Sequence, residues 1–102
     1  MSQVKYTPIG AAHVEAVAAW WHANRAGSTK FLDELERAVQ LLAAVPGLGL
    51  QFKRGRYRRV RRVLLRESEQ NVYYVHDVKK DIVWIIAVWG AKRGKGPRLV
   101  LP

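Results

Sequence analysis

Residues 41–66 read Leu-Leu-Ala-Ala-Val-Pro-Gly-Leu-Gly-Leu-Gln-Phe-Lys-Arg-Gly-Arg-Tyr-Arg-Arg-Val-Arg-Arg-Val-Leu-Leu-Arg, and the apolar period of the chain changes inside this stretch. Before it, Phe31, Leu32, Leu35, Val39, Leu42 and Ala43 recur three and four apart, which predicts one apolar face of a helix. Val45-Pro46-Gly47 stops that helix, because proline cannot continue it and glycine favours its end. Beyond the Gly-rich loop 47–55 the period falls to about 2, and strands are predicted at Arg58 to Arg66, Val72 to His76 and Ile82 to Trp89. Glu67 to Asn71 and Asp77 to Asp81 are polar connections of hairpin length, so the three strands form an antiparallel meander. Ile82 to Trp89 is apolar on both faces, as in a central strand covered on two sides. Arg61-Arg62 interrupts strict alternation, which means either a bulge or a solvent face that switches midway.

Upstream, Gln3 to Thr7 alternates as a short strand. Thr7-Pro8 then supplies an N-cap and a first-turn proline for a helix that runs to about Asn24. Ile9, Ala12, His13, Ala16, Val17, Trp20 and Trp21 form its core-facing stripe. Arg25-Ala26-Gly27 is too short a link for anything but an antiparallel turn, and Ser28 or Thr29 caps the second helix, with Asp33 and Glu34 near the positive end of its dipole. The fold class is therefore α+β: a short N-terminal strand and a two-helix hairpin packed on a twisted, mainly antiparallel sheet, in the order β-α-α-β-β-β. Residues 1–102 are read as one domain, since a chain of this length builds one core and not two. Gly90 to Pro102 either crosses the sheet as a mobile tail or adds an edge strand.

The chain carries 18 Lys and Arg against 8 Asp and Glu, for a formal net charge of +10. Eight of these basic residues fall between Lys53 and Arg66, with no acidic residue among them, and the tail adds Lys92, Arg93, Lys95 and Arg98. Guanidiniums crowded on one ribbon repel one another and imply a polyanionic partner, although a solvated face or an acidic protein segment meets the same charge. The absence of cysteine excludes disulfides and thiolate zinc sites. The longest apolar run is too short to span a bilayer, and the N-terminus has no signal-peptide pattern, so a cytoplasmic protein that does not enter membranes is expected. His13 and His22 do not have the spacing of a metal pair, and neither a metal nor another cofactor is expected. Trp20, Trp21 and Trp84 sit at core spacing. Tyr57, within the arginine run, has a ring that stacks on a base or packs on the hairpin. Tyr73 and Tyr74 point to opposite faces, so at least one is expected to be partly exposed.

The order of the helical hairpin, its Leu41-Leu42-Ala43-Ala44-Val45-Pro46-Gly47-Leu48-Gly49 ending, the basic strand Arg59 to Arg66, Asn71-Val72-Tyr73-Tyr74-Val75, and Ile85-Ile86-Ala87-Val88-Trp89-Gly90-Ala91-Lys92-Arg93 resembles the RelE/ParE toxin superfamily over nearly the whole chain. The resemblance implies a type II toxin–antitoxin toxin, basic, growth-inhibiting and neutralised by a cognate antitoxin. RelE-like members cut messenger RNA on the ribosome; ParE-like members, the plasmid stabilisation branch, poison DNA gyrase. Residues 94–102 contain no Tyr or His, whereas the RelE pattern has a tyrosine there, so the ParE-like branch is the closer match. Arg59, Arg61, Arg62, Lys92 and Arg93 are the expected target contacts. If the protein is instead a ribonuclease, Arg62 and Arg93 would stabilise the phosphate and His76 would move the proton. A non-toxic relative that only binds nucleic acid is the third reading.

Overall fold

The computed structural model describes residues 1–52, 55–57 and 59–102, with only the backbone of Arg56. Lys53 and Arg54 of the basic run, and Arg58 at the expected start of its strand, lie outside the described residues. Strand β1 (Gln3–Tyr6) leads into helix α1 (Pro8–Asn24), then α2 (Lys30–Ala44), β2 (Leu50–Gln51), a single 3-10 turn (Gly55–Tyr57), β3 (Arg61–Leu65), β4 (Gln70–Asp77) and β5 (Ile82–Gly90). The strands form one mixed sheet in the order β1-β5-β4-β3-β2, with β1 parallel to β5 and the other pairs antiparallel. The expected α+β order is present. β2, two residues inside the Gly-rich loop, and the 3-10 turn are new, and β4 begins at Gln70, inside the connection expected at Glu67 to Asn71.

The Thr7 hydroxyl accepts from the Gly10 N–H at 3.1 Å and caps α1. Gly10 itself has no room for a side chain, since a Cβ there would overlap the Ile85 carbonyl, and this lets α1 start against β5. The helix turns a different stripe to the sheet from the one expected. Gly10 is buried, and His13, Val14, Val17, Ala18 and Trp21 are half-buried, while Ile9 is 38% and Trp20 49% exposed. Trp20 is thus not a core residue, and Trp84 is only half-buried. In α2, Phe31, Leu35, Ala38 and Leu42 are buried as the period requires. The Ser28 hydroxyl accepts from the Lys30 N–H, whereas the Thr29 hydroxyl donates to Asp33.

Each face of the sheet has its own core. On the helix side, Phe31, Leu35 and Leu42 pack on Leu65, Val72, Tyr74, Val83, Ile85 and Val88. On the opposite face, Val60, Tyr73, Val75, Ile86, Ala87 and Leu99 form a second cluster with Phe52, Tyr57, Trp84 and Trp89 against it. The last segment thus crosses the sheet and adds no strand; Leu99 is buried and the Trp89 Nε1–H donates to the Lys95 carbonyl at 2.6 Å. Covering both faces buries Tyr73 (4% exposed) and Tyr74 (0%) alike, against the expectation that one would be open.

The irregularity expected in the first meander strand lies elsewhere. Arg61 to Leu65 pairs regularly with β4, so Arg61 and Arg62 simply face opposite sides. The bulge is in β5: Tyr73 pairs with Ala87 and Tyr74 with Ile85, leaving Ile86 as the extra residue. Ile86 and Ala87 then share the second cluster, and the phase reversal turns Val88 to the helices and Trp89 to the other face.

Glu34, read from sequence as a helix-dipole carboxylate, instead ties α2 to the β3–β4 turn. It accepts from the Glu67 N–H at 2.8 Å, the Ser68 N–H at 2.9 Å and the Ser68 hydroxyl at 2.5 Å. Burial pushes its pKa up, but these hydrogen bonds and the Arg37 charge outweigh burial and hold it below the ordinary glutamate value. The carboxylate is thus favoured in the folded state. Its contribution is full above the unfolded pKa and is lost as pH falls through the folded one. Glu34→Ala removes three charge-assisted bonds and is expected to cost about 2 to 4 kcal/mol at neutral pH, read by urea unfolding, with the deficit shrinking in acid.

Candidate functional site: a cationic and aromatic cavity on the open sheet face

The chain reaches the open face through a clamped crossing. The Tyr74 hydroxyl donates to the Pro46 carbonyl at 2.7 Å and accepts from the Gly49 N–H at 2.8 Å, and Arg61 Nη1–H donates to the Gly49 carbonyl at 2.9 Å. Burial raises the Tyr74 pKa, partly offset by the Gly49 N–H and the Arg61 charge, so its hydroxyl stays protonated as the donor that Pro46 requires. A Cβ at Gly49 would lie 2.9 Å from both the Arg62 carbonyl and the Tyr74 hydroxyl, so only glycine fits this crossing. Phe52 follows on the open face, where its N–H donates to the Val60 carbonyl and its ring meets Tyr73 edge-on at 5.9 Å.

Between Phe52 and Tyr57 on one side and the C-terminal segment on the other lies a cavity of about 380 Å³ floored by β4 and β5. Arg62, Arg93 and Arg98 line it together with Phe52, Tyr57, Tyr73, Trp89 and Asn71. Two of the guanidiniums rest on rings of the floor: Arg93 Cζ lies 4.1 Å from the Trp89 centroid, and Arg62 Cζ lies 6.0 Å from that of Tyr73. Arg93 is thus in contact with the Trp89 ring, Arg62 lies at the outer limit of the cation–π range over Tyr73, and the N–H groups of a guanidinium suit an oxyanion.

The five expected target contacts therefore divide. Arg62 and Arg93 share the cavity. Arg61, on the helix side, is spent on the Gly49 carbonyl. Lys92 pairs with Glu69 at 3.1 Å, and Arg59, exposed in the turn before Val60, does not line the cavity. His76 does not join Arg62 and Arg93. It pairs in register with the helix-side Val83, so it faces the opposite side of the sheet, where Nε2 lies 2.8 Å from Asp81 Oδ1. Arg98 and Asn71 also line the cavity and are not among the contacts expected from sequence. Arg98 counted only towards the tail's charge, and Asn71 acquires its position from its register opposite Trp89.

Trp89 and Arg93 also border a groove on the helix side, of about 540 Å³, lined by Arg25, Lys92, Trp20, Trp21 and Glu69 among others. His13 lines it as well. Its Nδ1 accepts from the Val88 N–H at 3.1 Å, and its ring lies 5.6 Å from that of Trp89. Burial, and then the Arg93 charge, lower its pKa below the ordinary value. Accepting through Nδ1 requires the neutral ring in any case. No group of three His, Asp or Glu placed to hold a metal occurs among the described residues, and none of their helices is long and apolar enough to cross a membrane.

No protein-family model and no curated protein sequence matches the chain. Solved structures match in fold. The isolated E. coli RelE toxin superposes with a TM-score of 0.65 at 16% identity, covering 93% of this chain and 89% of the toxin. A chain of the intact E. coli RelBE toxin–antitoxin complex gives 0.65 at 16% identity over 91% of this chain and 100% of its own, and a mutant RelE in the free state gives 0.62 at 15% over 89% and 84%. The protein thus has the fold of RelE.

Because the folded His13 pKa lies below its unfolded value of about 6.5, the unfolded state takes up protons first as pH falls. The stability that His13 confers is therefore full above that value and is lost on acidification towards the folded pKa. The unfolding free energies of wild type and His13→Gln are expected to converge between about pH 7.5 and pH 5, measured by urea titration.

Proposed function

We propose that this chain is the toxin of a type II toxin–antitoxin pair, and that it acts on RNA through the open-face cavity. The observation that carries this reading is the convergence of Arg62, Arg93 and Arg98 with Tyr57 and Trp89 in one concave site floored by the buried Tyr73. Guanidinium edges suit a phosphodiester, and ring or guanidinium planes suit unstacked bases, so together they fit single-stranded RNA better than a duplex. The RelE fold supports the toxin reading, and the RelBE complex supports a cognate antitoxin as partner. In cleavage, Arg62 and Arg93 would stabilise the charge of the crowded phosphate. Proton transfer would fall to a tyrosine hydroxyl, because the described lining holds no carboxylate and no imidazole.

That last observation favours a second reading, the ParE-like one, in which the same surface inhibits DNA gyrase without cutting RNA. Induction of the protein alone in bacteria separates the two. The RNA reading expects growth arrest with cleaved transcripts and unchanged plasmid supercoiling, and Arg62→Ala, checked for folding by circular dichroism, is expected to slow transcript loss about 100-fold or more. Intact transcripts with altered supercoiling would select gyrase. Unimpaired growth would select a non-toxic nucleic-acid-binding relative.

A further inference from the structure

His13 takes over from β1 as a partner of β5. The strand pairs with β5 only as far as Tyr6 opposite Ile85, and beyond this point the Val88 N–H donates to His13 Nδ1 at 3.1 Å. Val88 is buried, so its N–H has no ready replacement for that acceptor. The imidazole also meets the Trp89 ring at 5.6 Å, and on that ring the Arg93 guanidinium lies at 4.1 Å. One neutral ring on α1 thus touches both residues that lead β5 towards the C-terminal segment. The charged groups that share its groove are Arg25 from its own helix, Glu67 and Glu69 from the β3–β4 connection, and Lys92 and Arg93 from the segment after β5. Glu67 pairs with Arg37 at 3.0 Å and Glu69 with Lys92 at 3.1 Å, so each carboxylate already has a cation, and the Arg93 charge opposes a proton on His13.

From this arrangement we propose that His13 is a positioning residue for Arg93: the neutral imidazole holds the end of β5 and the Trp89 ring on which the guanidinium rests, and its protonation releases both. A proton on Nδ1 turns the acceptor into a donor, which sets two N–H groups against each other and leaves the Val88 N–H without its partner. Protonation also puts a second cation beside a ring that already carries one, and like charges in a partly dehydrated groove repel more strongly than in open water. Both effects act on the same joint. The Trp89 indole in turn donates to the Lys95 carbonyl, so the joint also bears on the C-terminal wall of the cavity. The inference deepens the cavity reading, in which Arg93 meets the anion, and adds a pH control that acts on it from the helix layer. It concerns the protein without its target, so its failure and that of the RNA reading remain distinguishable.

The test is an NMR titration of the isotope-labelled full chain between about pH 7.5 and about pH 5, over the range in which far-UV circular dichroism stays native. It follows the Val88 amide, the Trp89 indole N–H and the Arg93 δ-protons, which the Trp89 ring current shifts upfield while the guanidinium lies on the ring. In the wild type all three are expected to move together with one midpoint below about 6.5, the Arg93 protons towards the position of free arginine in acid. The carboxamide oxygen of His13→Asn is as many bonds from Cα as Nδ1 and accepts without titrating, so this variant is expected to keep the upfield Arg93 shift at every pH and to lose the midpoint. His13→Ala, with no acceptor, is expected to show the released Arg93 position throughout. The comparison of wild type with His13→Asn decides the matter even if His13→Ala fails to fold. A midpoint that survives in His13→Asn would assign the titration to another group, such as Glu67 or Glu69, and overturn the proposal. Arg93 protons that stay upfield in the wild type while the Val88 amide titrates would overturn it as well.

Discussion

The buried Tyr74 hydroxyl fixes where the chain passes from the helix layer to the far face of the sheet. It holds the Pro46 carbonyl and the Gly49 N–H at the point where the chain leaves the helix layer and passes around the edge of the sheet. Without it, two backbone groups at that crossing would have to find other partners, at a cost comparable to the hydrogen bonds themselves. Arg61 completes the clamp from the neighbouring strand. Phe52, Tyr57 and Val60 reach the open face from there, and the cavity follows from their position against the C-terminal segment.

The bulge at Ile86 is the second element of the same design. A strand of unbroken alternation would send Trp89 to the helices with Val83 and Ile85. One extra residue reverses the phase, puts Val88 under His13, and gives Trp89 to the face where Arg93 stacks on it. Trp89 is therefore touched from both layers: His13 from α1, and Arg93 and the Lys95 carbonyl from the segment after β5. The cavity wall and the helix packing share one ring.

Most of the architecture was legible from periodicity alone. The helix stop at Pro46-Gly47, the Thr7 cap, the short polar links and the doubly covered last strand each rest on local chemistry that tertiary context did not override. What was illegible depended on register. Trp20 and Ile9 lie only one helical step from the buried stripe, and no sequence signal distinguishes that rotation. The pattern breaks at Arg61-Arg62, which fits a bulge or a switched face equally, whereas the bulge occurs in β5, where an all-apolar sequence hides the change of phase. The cationic run is visible in the sequence, but adjacent strand residues face opposite ways, so Arg61 belongs to the scaffold and Arg62 lines the cavity. Arg98 and Asn71 join Arg62 only through the fold.

Pro46, Gly49 and Phe52 are held by hydrogen bonds to Tyr74, Arg61 and Val60, so that this wall of the cavity is in place before any ligand. Native-state amide hydrogen exchange at Gly49 and Phe52 tests it most directly, because their N–H groups donate to the Tyr74 hydroxyl and the Val60 carbonyl. Protection comparable to that of the β4 amides from Val72 to Val75 is expected. Exchange of both at the rate of an exposed loop would contradict it.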